Sequence, residues 1–130
     1  MEPVAAGELS ASQRYEIDRA IRSAEQASRY EFSVFVGAAG PDPRMHANRL
    51  HASLVVPDRS VLVLVDPEAR VIEVVTGAEV RRTLSDAAVG LGVLQMQAAF
   101  AAGDLAGGIK SGVAVLAEHA RAPQTLHASE

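Results

Sequence analysis

Val61-Leu-Val-Leu-Val65, Asp66-Pro-Glu-Ala-Arg70 and Val71-Ile-Glu-Val-Val-Thr76 follow one another without a break. Together they read as a β-hairpin. The first strand is apolar on both faces, so it must be covered on both sides and belongs in the middle of a layered domain. Five side chains at about 1.5–3 kcal/mol each give this strand roughly 10 kcal/mol of gross driving force, most of it offset by chain ordering. Proline at the second turn position pre-sets φ for the reversal, so the two strands run antiparallel. Glu73 among apolar neighbours places the return strand nearer a sheet edge.

Upstream, Ser10-x-x-Gln13 has the spacing of a capping box. Behind it Ile17, Ala20, Ile21, Ala24 and Ala27 recur at helical spacing, opposite Arg14, Asp18, Arg22 and Glu25, which predicts a surface helix. Glu31-Phe-Ser-Val-Phe-Val36 is a strand by its β-branched and aromatic content. Asp42-Pro43 then starts a helix, with proline at its first position. That helix runs to about Leu54 and buries Met45 or Ala47, Leu50 and Leu54. Strand, helix and apolar strand make a β-α-β unit, so its two strands are parallel and the sheet is mixed.

Downstream, Ala78–Thr83 reads as a polar bridge. Ser85 or Asp86 caps a long helix to about Ala102. Val89, Val93, Met96 and Phe100 form one of its stripes, and Ala87, Leu91, Leu94 and Ala98 another. A helix apolar around most of its girth is sandwiched or meets another subunit. Gly103-Asp104 stops it and caps the last helix, Leu105 to about Ala120. There Gly108 and Gly112 let another backbone approach closely. The expectation is a three-layer α/β/α sandwich around a small mixed sheet, in the order α-β-α-β-β-α-α. A single domain spans 10–120, with a flexible lead-in at 1–9 and a flexible tail at 121–130.

The chain carries 12 basic and 16 acidic residues, a net charge of −4. Such a chain, without aromatic and basic residues interleaved, is a poor nucleic-acid binder. It has no cysteine, which removes disulfides, thiol catalysis and thiolate metal sites. The first residues lack the basic and apolar regions of a secretory signal. No window reaches the ~18 apolar residues of a membrane span. A cytoplasmic location is expected.

The second half resembles a TPM domain, the family named after thylakoid-lumen, photosystem-repair and nematode receptor-modulator proteins. The likeness rests on the apolar strand Val61–Val65, the strand Val71–Gly77 ending in glycine, and the helix start Leu84-Ser85-Asp86. Its most specific part is Phe100-Ala-Ala-Gly103-Asp104-Leu105-Ala-Gly-Gly108-Ile109-Lys-Ser-Gly112-Val113. Ala47-Asn48-Arg49-Leu50 is also similar to the family's second helix, and the likeness covers roughly residues 12–118. The chain departs from the family at Pro57-Asp58-Arg59-Ser60, where an Asn-Gly turn is usual, and in the abbreviated Gly77-Ala-Glu79-Val80. It looks like a divergent, soluble branch. The resemblance implies acid phosphatase activity and calcium binding as expectations.

Chemistry is sparse. Asp58 precedes the central strand, while Glu79 and Asp86 follow the return strand. Antiparallel strands bring those flanks to one sheet edge, where the three carboxylates could hold a hard cation, Ca2+ or Mg2+. Against that, Ser85 or Asp86 is suited to capping a helix. Asp42 and Asp104 are read as caps and Asp66 as a turn residue. Gly37-Ala-Ala-Gly40 lies at the carboxyl end of a strand, where open sheets bind ligands, but Asp42 there repels an anion. His46 and His51 are about 140° apart around their helix and share no metal-binding face; these two, His119 and His127 read as surface residues. No G-x-S-x-G elbow occurs. Two functions remain: a non-catalytic binding or regulatory module, with a protein partner or self-association through the Asp86–Ala102 helix, and a cation-assisted phosphomonoesterase.

Overall fold

The structure, a computed structural model, describes residues 8–121. Seven elements carry the fold: α1 (Ala11–Ser28), β1 (Glu31–Val36), α2 (Pro43–Ala52), β2 (Ser60–Asp66), β3 (Val71–Thr76), α3 (Asp86–Ala101) and α4 (Leu105–Ala120). Short 3-10 turns at Pro57–Arg59 and Val80–Arg82 flank the hairpin. The order α-β-α-β-β-α-α is the expected one. The outermost stretches expected to be flexible, 1–7 and 122–130, lie outside the described residues. Leu9, assigned to the lead-in, packs against the core.

The sheet has three strands in the order β1-β2-β3. β1 is parallel to β2, with Val34 opposite Val63. β3 is antiparallel to β2, with Val74 opposite Val63. Alternation along β2 feeds two cores, because successive side chains leave opposite faces of a strand. Val61, Val63 and Val65 join Ile17, Met96, Ile109 and Leu116 on the side of α1, α3 and α4. Leu62 and Leu64 join Ala47 and Leu50 on the side of α2. Leu62 is 2% exposed and Val63 0%, so the layered arrangement expected of an all-apolar strand is present.

The helix starts follow from local chemistry. Ser10 and Gln13 form both bonds of the capping box. Asp42, Ser85 and Asp104 each accept an amide proton from the third residue on. Between α3 and α4 the chain turns at Gly103, whose φ of 83° suits glycine. The Gly103 amide donates to the Phe100 carbonyl and the Asp104 amide to that of Ala99, the paired bonds of a Schellman ending.

α2 runs to Ala52; of the two alternatives Ala47 is the buried one and Met45 is 48% exposed, while Leu50 and Leu54 pack partly buried beside it. Two local expectations need correcting. The bridge after β3 is not merely polar: Val80 is fully buried and Leu84 nearly so. His46 and His51 are half-buried on the sheet side of α2. The His46 ring packs edge-on to Phe35 with centroids 5.5 Å apart, and His51 Nε2 lies 3.0 Å from the Ser60 carbonyl oxygen.

Candidate functional site

At the rim where β2 begins and β3 ends, backbone contact brings Asp58 and Glu79 into proximity. Gly77 sits against the Pro57 and Asp58 carbonyls with no room for a Cβ. The Glu79 amide donates to the Asp58 carbonyl at 2.9 Å. The meeting of the two flanks inferred from strand direction therefore occurs in the backbone. The side chains do not complete a cation site. Glu79's carboxylate lies 3.7 Å from Arg59 and 3.5 Å from Arg82. Arg59 is itself fixed over the Tyr30 ring at 5.0 Å and donates to the Arg29 carbonyl. Asp86 is the exposed first residue of α3, where its charge favours the helix N-terminus. Among the described residues no three Asp, Glu or His side chains are grouped to hold a metal ion. Of the three carboxylates expected to converge, Asp58, Glu79 and Asp86, strand direction places the backbone of the first two together, while Glu79's side chain is ion-paired and Ser85, not Asp86, caps α3.

At the opposite rim, where β1 and β2 end, Asp66 is the organising group. It is buried, and its Oδ2 accepts from the Ala39 amide at 2.8 Å while Oδ1 accepts from the Ala69 amide at 3.0 Å. These amides, the Ala39 bond first, hold its carboxyl below the ordinary value against the opposing effect of burial. Only the turn bond was legible locally; the bond to Ala39 joins two connections 27 residues apart. Beside this staple lies an open cavity of about 900 Å3. Ile17 and Ile21 of α1, Val34 and Val36 of β1, and the turn Asp66–Ala69 line it.

The third feature is α3. Its inner face packs on α4, where Gly92 meets Leu116 and Gly112 meets Met96. On its outer face Ala87, Leu91, Leu94, Ala98 and Ala101 are all exposed, at spacings of four, three, four and three. Leu91 is 51% and Leu94 61% exposed. From Ala87 to Gly103 there is no charged residue. Of the two stripes read from the sequence, one is core and the other is surface.

Comparison with known proteins gives a family without an activity attached. Residues 2–117 match the family described as domain of unknown function DUF5130. Two uncharacterised Mycobacterium tuberculosis proteins, MT2543 of strain CDC 1551 / Oshkosh and Rv2468c of strain H37Rv, are each 33% identical over 100 residues. The match covers 77% of this chain, which spans 60% of the length of those curated relatives. Protein BA42 of Bizionia argentinensis superposes with a TM-score of 0.75 at 20% identity, covering 85% of this chain and 80% of that one. The N-terminal domain of Corynebacterium glutamicum cg2496 does so at 0.71 and 16% identity, covering 95% and 84%. At these identities the likeness is one of fold.

Proposed function

We propose that this chain, which belongs to the DUF5130 family, is a non-catalytic binding module whose outer α3 face takes a second copy of the same chain. The observation that carries the reading is the exposed 4-3-4-3 apolar row on a helix whose other face is already committed to α4. That spacing is the seam of paired helices. An apolar patch of this kind on a folded surface marks an interaction site. The second copy is favoured because the face is neutral. Two such faces meeting about a two-fold axis bring no like charges together. Its small residues Ala87, Gly90, Ala98 and Ala101 permit close approach.

The reading includes kinship with the TPM domain, as a divergent branch working in the cytoplasm. Support comes from the glycines of the Phe100–Val113 signature. Gly103 supplies the positive φ, and Gly108 and Gly112 lie against Phe100 and Met96. Among the described residues no helix is long and apolar enough to cross a membrane. A cation-assisted phosphomonoesterase is not preferred, because such chemistry needs a held cation and an activated water, and Glu79 is engaged by two guanidinium groups.

Sedimentation equilibrium tests the association. The chain should dimerise reversibly, and Leu91→Glu with Leu94→Glu should give a monomer with little change in Tm. A wild-type chain that stays monomeric at the highest attainable concentration overturns the proposal. Millimolar calcium or magnesium should leave Tm unmoved, with no turnover of an aryl phosphate. A metal-induced rise abolished by Asp58→Ala and Asp86→Ala would favour the phosphatase instead.

A further inference from the structure

We propose that the outer edge of β1, together with the cavity beside it, takes an extended peptide as a fourth strand. The peptide puts an apolar side chain into the cavity and carries a basic residue next to it. This surface is separate from the α3 face and does not rest on the self-association reading.

The edge is defined by hydrogen-bond parity. The Gly37 amide donates to the Val65 carbonyl, so the odd-numbered residues of β1 turn toward β2. Alternation then turns the amides and carbonyls of Phe32, Val34 and Val36 outward. The Phe32 amide donates to Glu25 Oε2 at 3.1 Å, which fits this parity and closes one end of the edge. Among the described residues no strand pairs with the rest of it. The sheet's other edge is treated differently: Arg44 donates to the Val74 carbonyl at 2.8 Å and Arg81 to the Thr76 carbonyl. Side chains thus occupy carbonyls on β3, whereas among the described residues none occupies β1 where Val34 and Val36 line the cavity.

An open edge next to a side-chain pocket is the recognition mode of strand addition. Backbone bonds supply affinity and the pocket supplies specificity. Ile17 and Ile21 face Val34 and Val36 across the cavity, so the pocket selects an aliphatic side chain. Around it Glu8, Asp18 and Glu68 outnumber Arg14, and both oxygens of Asp66 are already used. The rim therefore favours a cation on the peptide.

The test is to pan a displayed random nonapeptide library on the chain, with counter-selection on Val34→Pro. That variant removes an outward amide and leaves the β2 ladder intact; its Tm confirms folding. Asp18→Lys, an exposed change, is a second variant independent of the strand. Enriched peptides should combine alternate aliphatic residues with lysine or arginine. N-methylation at alternate amides should weaken binding about tenfold, as the loss of one or two hydrogen bonds predicts, while methylation at the intervening amides should not. Asp18→Lys should weaken binding too, and Leu91→Glu with Leu94→Glu should not. The Val34 and Val36 amides should exchange rapidly in the free chain and slowly in the complex. Failure to enrich any peptide, equal effects of methylation in both registers, or Val34 already protected in the free chain would each overturn the proposal.

Discussion

The carboxylate of Asp66 takes its two hydrogen bonds from amides in different connections, Ala39 after β1 and Ala69 in the hairpin turn. A group whose folded pKa lies below its unfolded value adds stability that is fully present above the unfolded value and is lost as pH falls through the folded one. Asp66 is of this kind. The wild-type chain should therefore lose stability below about pH 4, near the unperturbed carboxylate pKa. Asp66→Asn should reduce the difference between urea midpoints at pH 7 and pH 3; an unchanged difference would remove Asp66 from the acid limb. Arg70 closes the same turn at a φ of 59°, where a Cβ is strained. Arg70→Gly should stabilise the chain by about 0.5–1 kcal/mol, read as a higher urea midpoint with unchanged m. The caps at Ser10, Asp42, Ser85 and Asp104 were legible because each partner is three residues away. The Asp66–Ala39 bond was not, since it depends on two loops being adjacent in space. His46 was misread for a related reason. Helical spacing gave the relation between two histidines but not the sheet face on which α2 lies.

Elements were read best where one pattern decided them. An all-apolar run could only be a central strand, and Pro67 could only reverse it, so β2 and β3 were legible together. Val80 was missed because a single 3-10 turn is too short to display a period, although it holds a fully buried side chain. The stripes on α3 were both visible, but which one faced inward depended on α4. The glycines of α4 settle it: a Cβ on Gly108 would lie 2.6 Å from Phe100 Cε1 and 2.9 Å from the Ala99 side chain. The α3–α4 pair is thus a close contact fitted to absent side chains. Gly108→Val should destabilise by about 1–3 kcal/mol through overpacking, despite valine's better helix propensity than glycine's. Thermal unfolding checks this. A Gly108→Val chain as stable as the wild type would mean that α3 and α4 separate at little cost.

On the scale of the whole molecule the two faces of the sheet are covered unequally. α1, α3 and α4 bury one face, and the core there runs from Ile17 through Val63 and Met96 to Ala120. On the other face, among the described residues, α2 stands alone, a 10-residue helix with Ala47 as its one fully buried side chain and Leu50 only partly covered. This asymmetry could not be read from periodicity, which shows that each strand face is apolar but not how many helices share it. It has a dynamic consequence. Local opening takes free energy in proportion to the buried contacts that it breaks, so segments with few of them open before the global transition. α2 has few, and its His46 Nε2, buried with no hydrogen-bond partner among the described residues, weakens its seat further, since an unsatisfied buried polar atom costs about 1–3 kcal/mol. Native-state hydrogen exchange should therefore show the amides of α2 exchanging through a sub-global opening of lower free energy than those of β2 and α4. Low denaturant should leave that gap intact until global unfolding overtakes it. His46→Phe, which keeps a ring against Phe35 and removes the orphan nitrogen, should narrow the gap by slowing exchange in α2 alone. If α2 amides exchange at the same free energy as β2 in the wild-type chain, the two faces unfold as one cooperative unit and the unequal layers carry no dynamic meaning.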